Sequence, residues 1–159
     1  MKSEEEIKEL YDTAINNNDK QLIFELGFMY KKGIEIPQHY QNAIELYNLA
    51  VDKSHCGAMC NLGMMYLNGL GVQKDYSKAK ELFEMADKEV DCSNNLGILY
   101  NNGLGVEQDH QKAKEYFEKA ITNGDTNGSV NLGKMDQLTW VKCMRMEHII
   151  LVIQKIVIL

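Results

Sequence analysis

Four Leu-Gly pairs, Leu26-Gly27, Leu62-Gly63, Leu96-Gly97 and Leu132-Gly133, recur along the chain at steps of 36, 34 and 36 residues. A fixed period of this size marks stacked supersecondary units, because one such unit can bury its apolar face only against the next. The pairs carry the rest of a unit with them. Three residues beyond the first three glycines stand Tyr30, Tyr66 and Tyr100, and three further on stand Gly33, Gly69 and Gly103. Downstream, Ala43, Ala79 and Ala113 are followed seven residues later by Ala50, Ala86 and Ala120, which is two helical turns and therefore one face.

Within the second unit Ala58, Leu62, Met65 and Tyr66 fall on one helical stripe, and Ala79, Leu82, Phe83 and Ala86 fall on another. Each unit is thus read as two amphipathic helices, A then B, and the chain as all-α. Between them Gly69 suits a left-handed C-cap, Gly71 relieves a second tight position, and Val72 can pin the loop to the core. Asp75 and Asp109 stand where a side-chain oxygen would cap helix B. A glycine inside helix A costs about 1 kcal/mol against alanine, so its recurrence predicts close approach of a neighbouring helix.

The same register accounts for the N-terminus. Leu10, Tyr11 and Ala14 match Leu46, Tyr47 and Ala50, and Ser3 falls in the capping slot with Glu6 completing a capping box. The chain opens with an isolated helix B able to cover the end of the first full repeat. Two irregularities follow. The first repeat has Glu35 for the second loop glycine and His39 for the capping Asp, so its turn is expected to be the least well formed. The link between repeats two and three is two residues short, which should trim the connection or the first turn of the next helix A.

The pattern A-x3-L-G-x2-Y-x2-G-x-G-V-x2-D-x3-A-x6-A resembles the Sel-one-like repeat family, relatives of the tetratricopeptide repeat with a longer, glycine-bearing loop. The resemblance implies a right-handed α-α superhelix, a solenoid of helix-turn-helix repeats, and a role as scaffold or adaptor. On this register the solenoid occupies residues 1–138, with a half repeat at 3–16, full repeats at about 20–53, 56–88 and 91–122, and a partial repeat at 125–138. After NLGKM, at 131–135, the motif lapses: Asp136, Thr139 and Val141 stand where Tyr, Gly and Gly belong. The divergent tail 139–159 ends with nine apolar residues in its last eleven, too short a run to span a bilayer as a helix of ~20 residues. It reads as a folded-back cap, a frame-disrupted fourth helix B, a membrane-surface contact or an aggregation-prone strand.

With 17 Lys and Arg against 23 Asp and Glu, the net charge of -6 offers no footprint for a phosphate backbone, so nucleic acid is not an expected partner. The opening MKSEEEIKEL is acidic where a secretion signal is basic and then apolar, and a cytoplasmic location is expected. Cys56, Cys60, Cys92 and Cys143 have no regular spacing and are expected to remain thiols, with Cys92 a small core residue in the slot of Ala58. His55, Cys56, Cys60 and Cys92 could be drawn as a metal site, but the core reading of Cys92 speaks against it. The chain lacks the cysteine pair in every repeat that marks certain secreted relatives discussed as penicillin-binding enzymes. No catalytic constellation stands out, and neither cofactor nor metal is expected.

Asn61, Asn95 and Asn131 recur immediately before Leu-Gly, although Asn is a poor helix former. On the same flank lie Glu25, Phe28 and Lys32 in the first repeat, then Met64 with Asn68, Ile98 with Asn102, and Lys134. Stacked, these would line an inner groove where amides meet an extended peptide backbone and apolar neighbours add contact. The same asparagines could instead bond the adjacent repeat and hold the stack together, and the two roles are compatible. The expected function is a non-enzymatic interaction scaffold for a peptide or partner protein. The alternatives are a regulatory fragment acting within a larger assembly and a hydrolase with an unrecognised site.

Overall fold

The computed structural model describes residues 1–87 and 92–135. The short link at 88–91 and the tail from 136 onward, including Asp136, Thr139, Val141 and the apolar run, lie outside the described residues. The regular elements are helices: α1 (Glu4–Asn16), α2 (Lys20–Lys32), α3 (Tyr40–Asp52), α4 (Cys56–Asn68), α5 (Tyr76–Ala86), α6 (Ser93–Asn102) and α7 (His110–Thr122). A further helical stretch, α8, covers 126–135. Helices α2, α4 and α6 are the A helices and pack most extensively on their B partners α3, α5 and α7, while α1 on α2, α3 on α4 and α5 on α6 join one unit to the next. The architecture is a helical repeat solenoid opened by a lone helix B.

The periodic residues form the core. Leu26, Leu62 and Leu96 are buried, as are the alanines at 14, 43, 50, 79, 86, 113 and 120, which let helices meet closely. The Leu-Gly glycines of the first three units face aromatic rings of helix B, while a Cβ on Gly133 would meet nothing within 4 Å among the described residues. A Cβ built on Gly63 would lie 2.6 Å from Phe83 Cε1, on Gly97 2.5 Å from Phe117 Cε1, and on Gly27 3.0 Å from the Tyr47 ring. The predicted close approach at these three positions is therefore an aromatic ring set against a side-chain-free turn. Removal of the Cβ admits Tyr47, Phe83 and Phe117, each fully buried, and burying such a ring contributes roughly 1.5–3 kcal/mol.

Local signals end the helices where the register places them. Ser3 and Glu6 form the capping box, with Ser3 N donating to Glu6 Oε2 at 2.7 Å. Asp75 and Asp109 accept from Lys78 N and Lys112 N at 2.9 Å. Gly33, Gly69 and Gly103 are left-handed C-caps.

The first loop is not the weak one. Glu35 adopts the left-handed conformation (φ 60°) of Gly71 and Gly105. The same closing bond forms in all three loops, from His39, Asp75 and Asp109 N to Tyr30, Tyr66 and Tyr100 O, at 2.9, 3.1 and 3.0 Å. Ile36, in the slot of Val72, is fully buried beneath the first loop, and two substitutes hold it: Lys2 N donates to Glu35 O at 2.6 Å, and His39 Nδ1 accepts from Asn42 N. A side chain is excluded at 71 and 105 for a second reason, since a Cβ there would meet Tyr40 Cβ at 2.4 Å or Tyr76 Cβ at 2.7 Å. At 35 the neighbouring backbone is the chain start at Lys2, and only the backbone strain remains.

The shortened link trims helix A as expected: α6 has 10 residues against 13 in α4 and lacks a side-chain cap bond.

Candidate protein-interaction face

Two of the A helices, α4 and α6, differ in charge from the rest of the chain, whereas α2 carries Lys20, Glu25, Lys31 and Lys32. Helices α4 and α6 contain no Asp, Glu, Lys or Arg, and α2 carries Glu25 as its single acid. Most of the helical carboxylates sit on the B helices, above all Glu4, Glu5, Glu6, Glu9 and Asp12 of α1. In a chain that is 25% charged, two adjacent helices without charge leave a surface of amides and apolar groups. Met64 is 36% exposed. Asn68, Asn102 and Lys134 are exposed, while Phe28, Ile98, Asn61, Asn95 and Asn131 are half-buried.

The amides divide by partner. Asn68 Nδ2 donates to Met64 O and Asn102 Nδ2 to Ile98 O, each one turn back on its own helix, at 2.8 and 2.9 Å. The asparagines preceding Leu-Gly reach across to the previous repeat instead. Asn61 Oδ1 accepts from Lys31 Nζ at 2.7 Å while its Nδ2 donates to Gly57 O. Asn95 Nδ2 lies 3.7 Å from Cys60 Sγ, and Asn131 Nδ2 donates to Asn94 Oδ1 at 2.8 Å. One position per repeat thus ties α2 to α4, α4 to α6, and α6 to α8. Lys31, at 8% exposure, has no carboxylate within ion-pair distance among the described residues. Burial, with Lys32 adding, pushes its ammonium below the usual lysine range.

His55 anchors the first junction. Its Nδ1 accepts from Ala58 N as the cap of α4, its Nε2 bonds Gln21 Oε1 at 2.9 Å, and its ring stacks on Phe24 at 4.5 Å. The cap requires an unprotonated Nδ1, and burial with nearby Lys20 holds the imidazole below the ordinary histidine range.

The cysteines correct an expectation. Cys92 is fully buried, as its slot predicts, but it is bonded to Cys60 rather than left a thiol, with Cα atoms 6.4 Å apart. The signal was in the register. Cys60 lies two residues before its Leu-Gly and Cys92 four before the next, positions that meet when A helices stack. Lys31 had no comparable signal, because a lysine beside the repeat tyrosine reads as solvated. Among the described residues no three His, Cys, Asp or Glu side chains converge as a metal site.

A cleft of about 370 Å³ opens between α1 and the first loop, lined by Ile7, Tyr11, Tyr30 and Pro37. Its counterparts around Tyr66 and Tyr100 have Lys78 and Lys112 ammonium groups over the rings at 4.6 and 4.3 Å. These clefts recur with the loops and belong to the build of the repeat.

The family model described as Sel1 repeat matches residues 22–55, 57–86 and 90–125. The chain belongs to the Sel1 repeat family. Three solved structures resemble this Sel1 repeat chain. A Sel1 repeat protein from Oxalobacter formigenes shares 27% identity at TM-score 0.70 over 78% of this chain and 52% of its own. The c5321 protein, a protective antigen of uropathogenic Escherichia coli with an SLR fold, shares 28% at 0.71 over 79% of this chain and 27% of its own. Helicobacter pylori cysteine rich protein B shares 26% at 0.59 over 79% of this chain and 96% of its own. The chain thus spans about half the length of the first of these Sel1 structures and about a quarter of the second. No curated protein matches it. No described helix of this Sel1 repeat chain is long and apolar enough to cross a membrane.

Proposed function

We propose that the chain is a non-enzymatic interaction scaffold whose A-helix face, the inner groove of the superhelix, takes an extended peptide or a partner protein in the cytoplasm. The observation that carries this reading is the uncharged surface of α4 and α6 with Met64, Ile98, Asn68 and Asn102 on it. Interface centres are depleted of charge and enriched in residues such as Met, whereas a solvated surface has no reason to lose charge on two consecutive helices. Each outward amide still has donor or acceptor capacity after its one bond to the helix. The junction amides Asn61, Asn95 and Asn131 add to the face by fixing its spacing, and Phe28 and Lys134 extend it at either end. Membership in the Sel1 family agrees with this role.

Site-specific photo-crosslinking tests the assignment. With p-benzoylphenylalanine at position 64 or 98, discrete protein adducts are expected in cells. At position 85, on exposed helix B surface, none is expected. Adducts confined to position 85, or absent from all three, would overturn it.

A further inference from the structure

We propose that Cys60 and Cys92 form a thiol–disulfide exchange site, a reversible covalent tether between the second and third repeats whose oxidant is a low-molecular-weight disulfide. The position two residues before Leu-Gly crosses to the next repeat at every junction. Phe24 stacks on His55, Asn94 accepts from Asn131, and between them Cys60 is bonded to Cys92. The sulfur pair stands where its neighbours use a ring contact and a hydrogen bond, and it does so at the junction that needs it most. There the link is two residues short and α6 lacks both its first turn and a side-chain cap. A Cα separation of 6.4 Å allows the bond without backbone movement.

The two sulfurs have different environments, which sets the order of events. Cys60 is half-buried and Cys92 fully buried, so a solvent molecule reaches Cys60 Sγ first. In closure the Cys60 thiolate attacks the small disulfide, one small thiolate departs, and a mixed disulfide remains on Cys60. The Cys92 thiolate then attacks Cys60 Sγ and expels the second small thiolate. The protein loses two electrons and two protons, and the small disulfide gains them as two thiols. Opening is the reverse, with Cys92 as leaving group. It occupies the N-cap position of α6.

The full chain is equilibrated in glutathione buffers of graded ratio, acid-quenched, alkylated and mapped by mass spectrometry. Reversible appearance of the Cys60–Cys92 linked peptide is expected, with Tm higher in the oxidised form by roughly 5–15 °C. Cys92→Ser should hold glutathione on Cys60, and Cys60→Ser should leave Cys92 unmodified in the native state. Cys56→Ser should keep both the link and the Tm difference. A bond from Cys60 or Cys92 to Cys56 or Cys143, a link that reduced glutathione never opens in the folded protein, or equal Tm in both forms would overturn the proposal. Should Cys92→Ser fail to fold, the mapped link and its Tm difference in the unaltered chain decide.

Discussion

Tyr47 occupies the slot held by Phe83 and Phe117 in the next two repeats, yet its buried hydroxyl has no hydrogen-bond partner among the described residues. Burial alone drives its pKa far above the usual tyrosine range. An unsatisfied buried hydroxyl costs about 1–3 kcal/mol, and a phenyl ring would keep the packing on Gly27. Tyr47→Phe is therefore expected to stabilise by about 1 kcal/mol or more, seen as a higher urea midpoint at unchanged slope. A lower midpoint would mean that the hydroxyl has a partner in solution. At this scale the periodic residues were legible and their exceptions were not. The sequence shows Glu35 in a glycine slot, but the backbone bond and ion pair from Lys2, just before α1, that make it tolerable are visible only in the structure.

The helix pair is the element that the repeat encodes most directly. Glycine in helix A is meaningful only with the aromatic of helix B, a pairing visible in the sequence as Gly63 with Phe83 and Gly97 with Phe117. That the contact is a ring on a bare turn became clear only in three dimensions. Gly97→Leu should gain about 1 kcal/mol of helix propensity but force the Phe117 ring from its place, with a net loss of roughly 1–3 kcal/mol. Urea unfolding measures the difference, and a more stable variant would refute the packing account. The shortness of α6 was legible from the missing two residues. The sulfur bridge was not, because cysteine spacing in sequence says little until the stacking register is applied to it.

Across the whole molecule the described junctions are held differently: a histidine stack and cap at the first, a sulfur bond at the second, a pair of amides at the third. In a solenoid each repeat touches only its neighbours, so stability is close to a sum of local terms, and a junction can be loosened alone. His55 makes the first one sensitive to acid. Its folded pKa lies below the ordinary value of about 6.5, so the unfolded chain takes up the proton first. The contribution is present above about pH 6.5 and lost as pH falls through the depressed folded value. Melting between pH 7.5 and 5 should show a Tm decline that His55→Asn, a cap that does not titrate, partly removes. Equal slopes in the two proteins would dismiss the effect. For the interaction face, the asparagine positions were legible as a row, but the division between junction amides and outward amides required the distances.

The sulfur bond also makes the chain a loop on a line. Under tension applied at its two ends, the load passes directly from Cys60 to Cys92, and the intervening stretch, across a separation of 32 residues, is shielded. Its contour of roughly 110 Å is withheld from extension while the bond is closed, so the oxidised protein is shorter at full stretch, and helix α5 carries no pulling force however hard the ends are drawn apart.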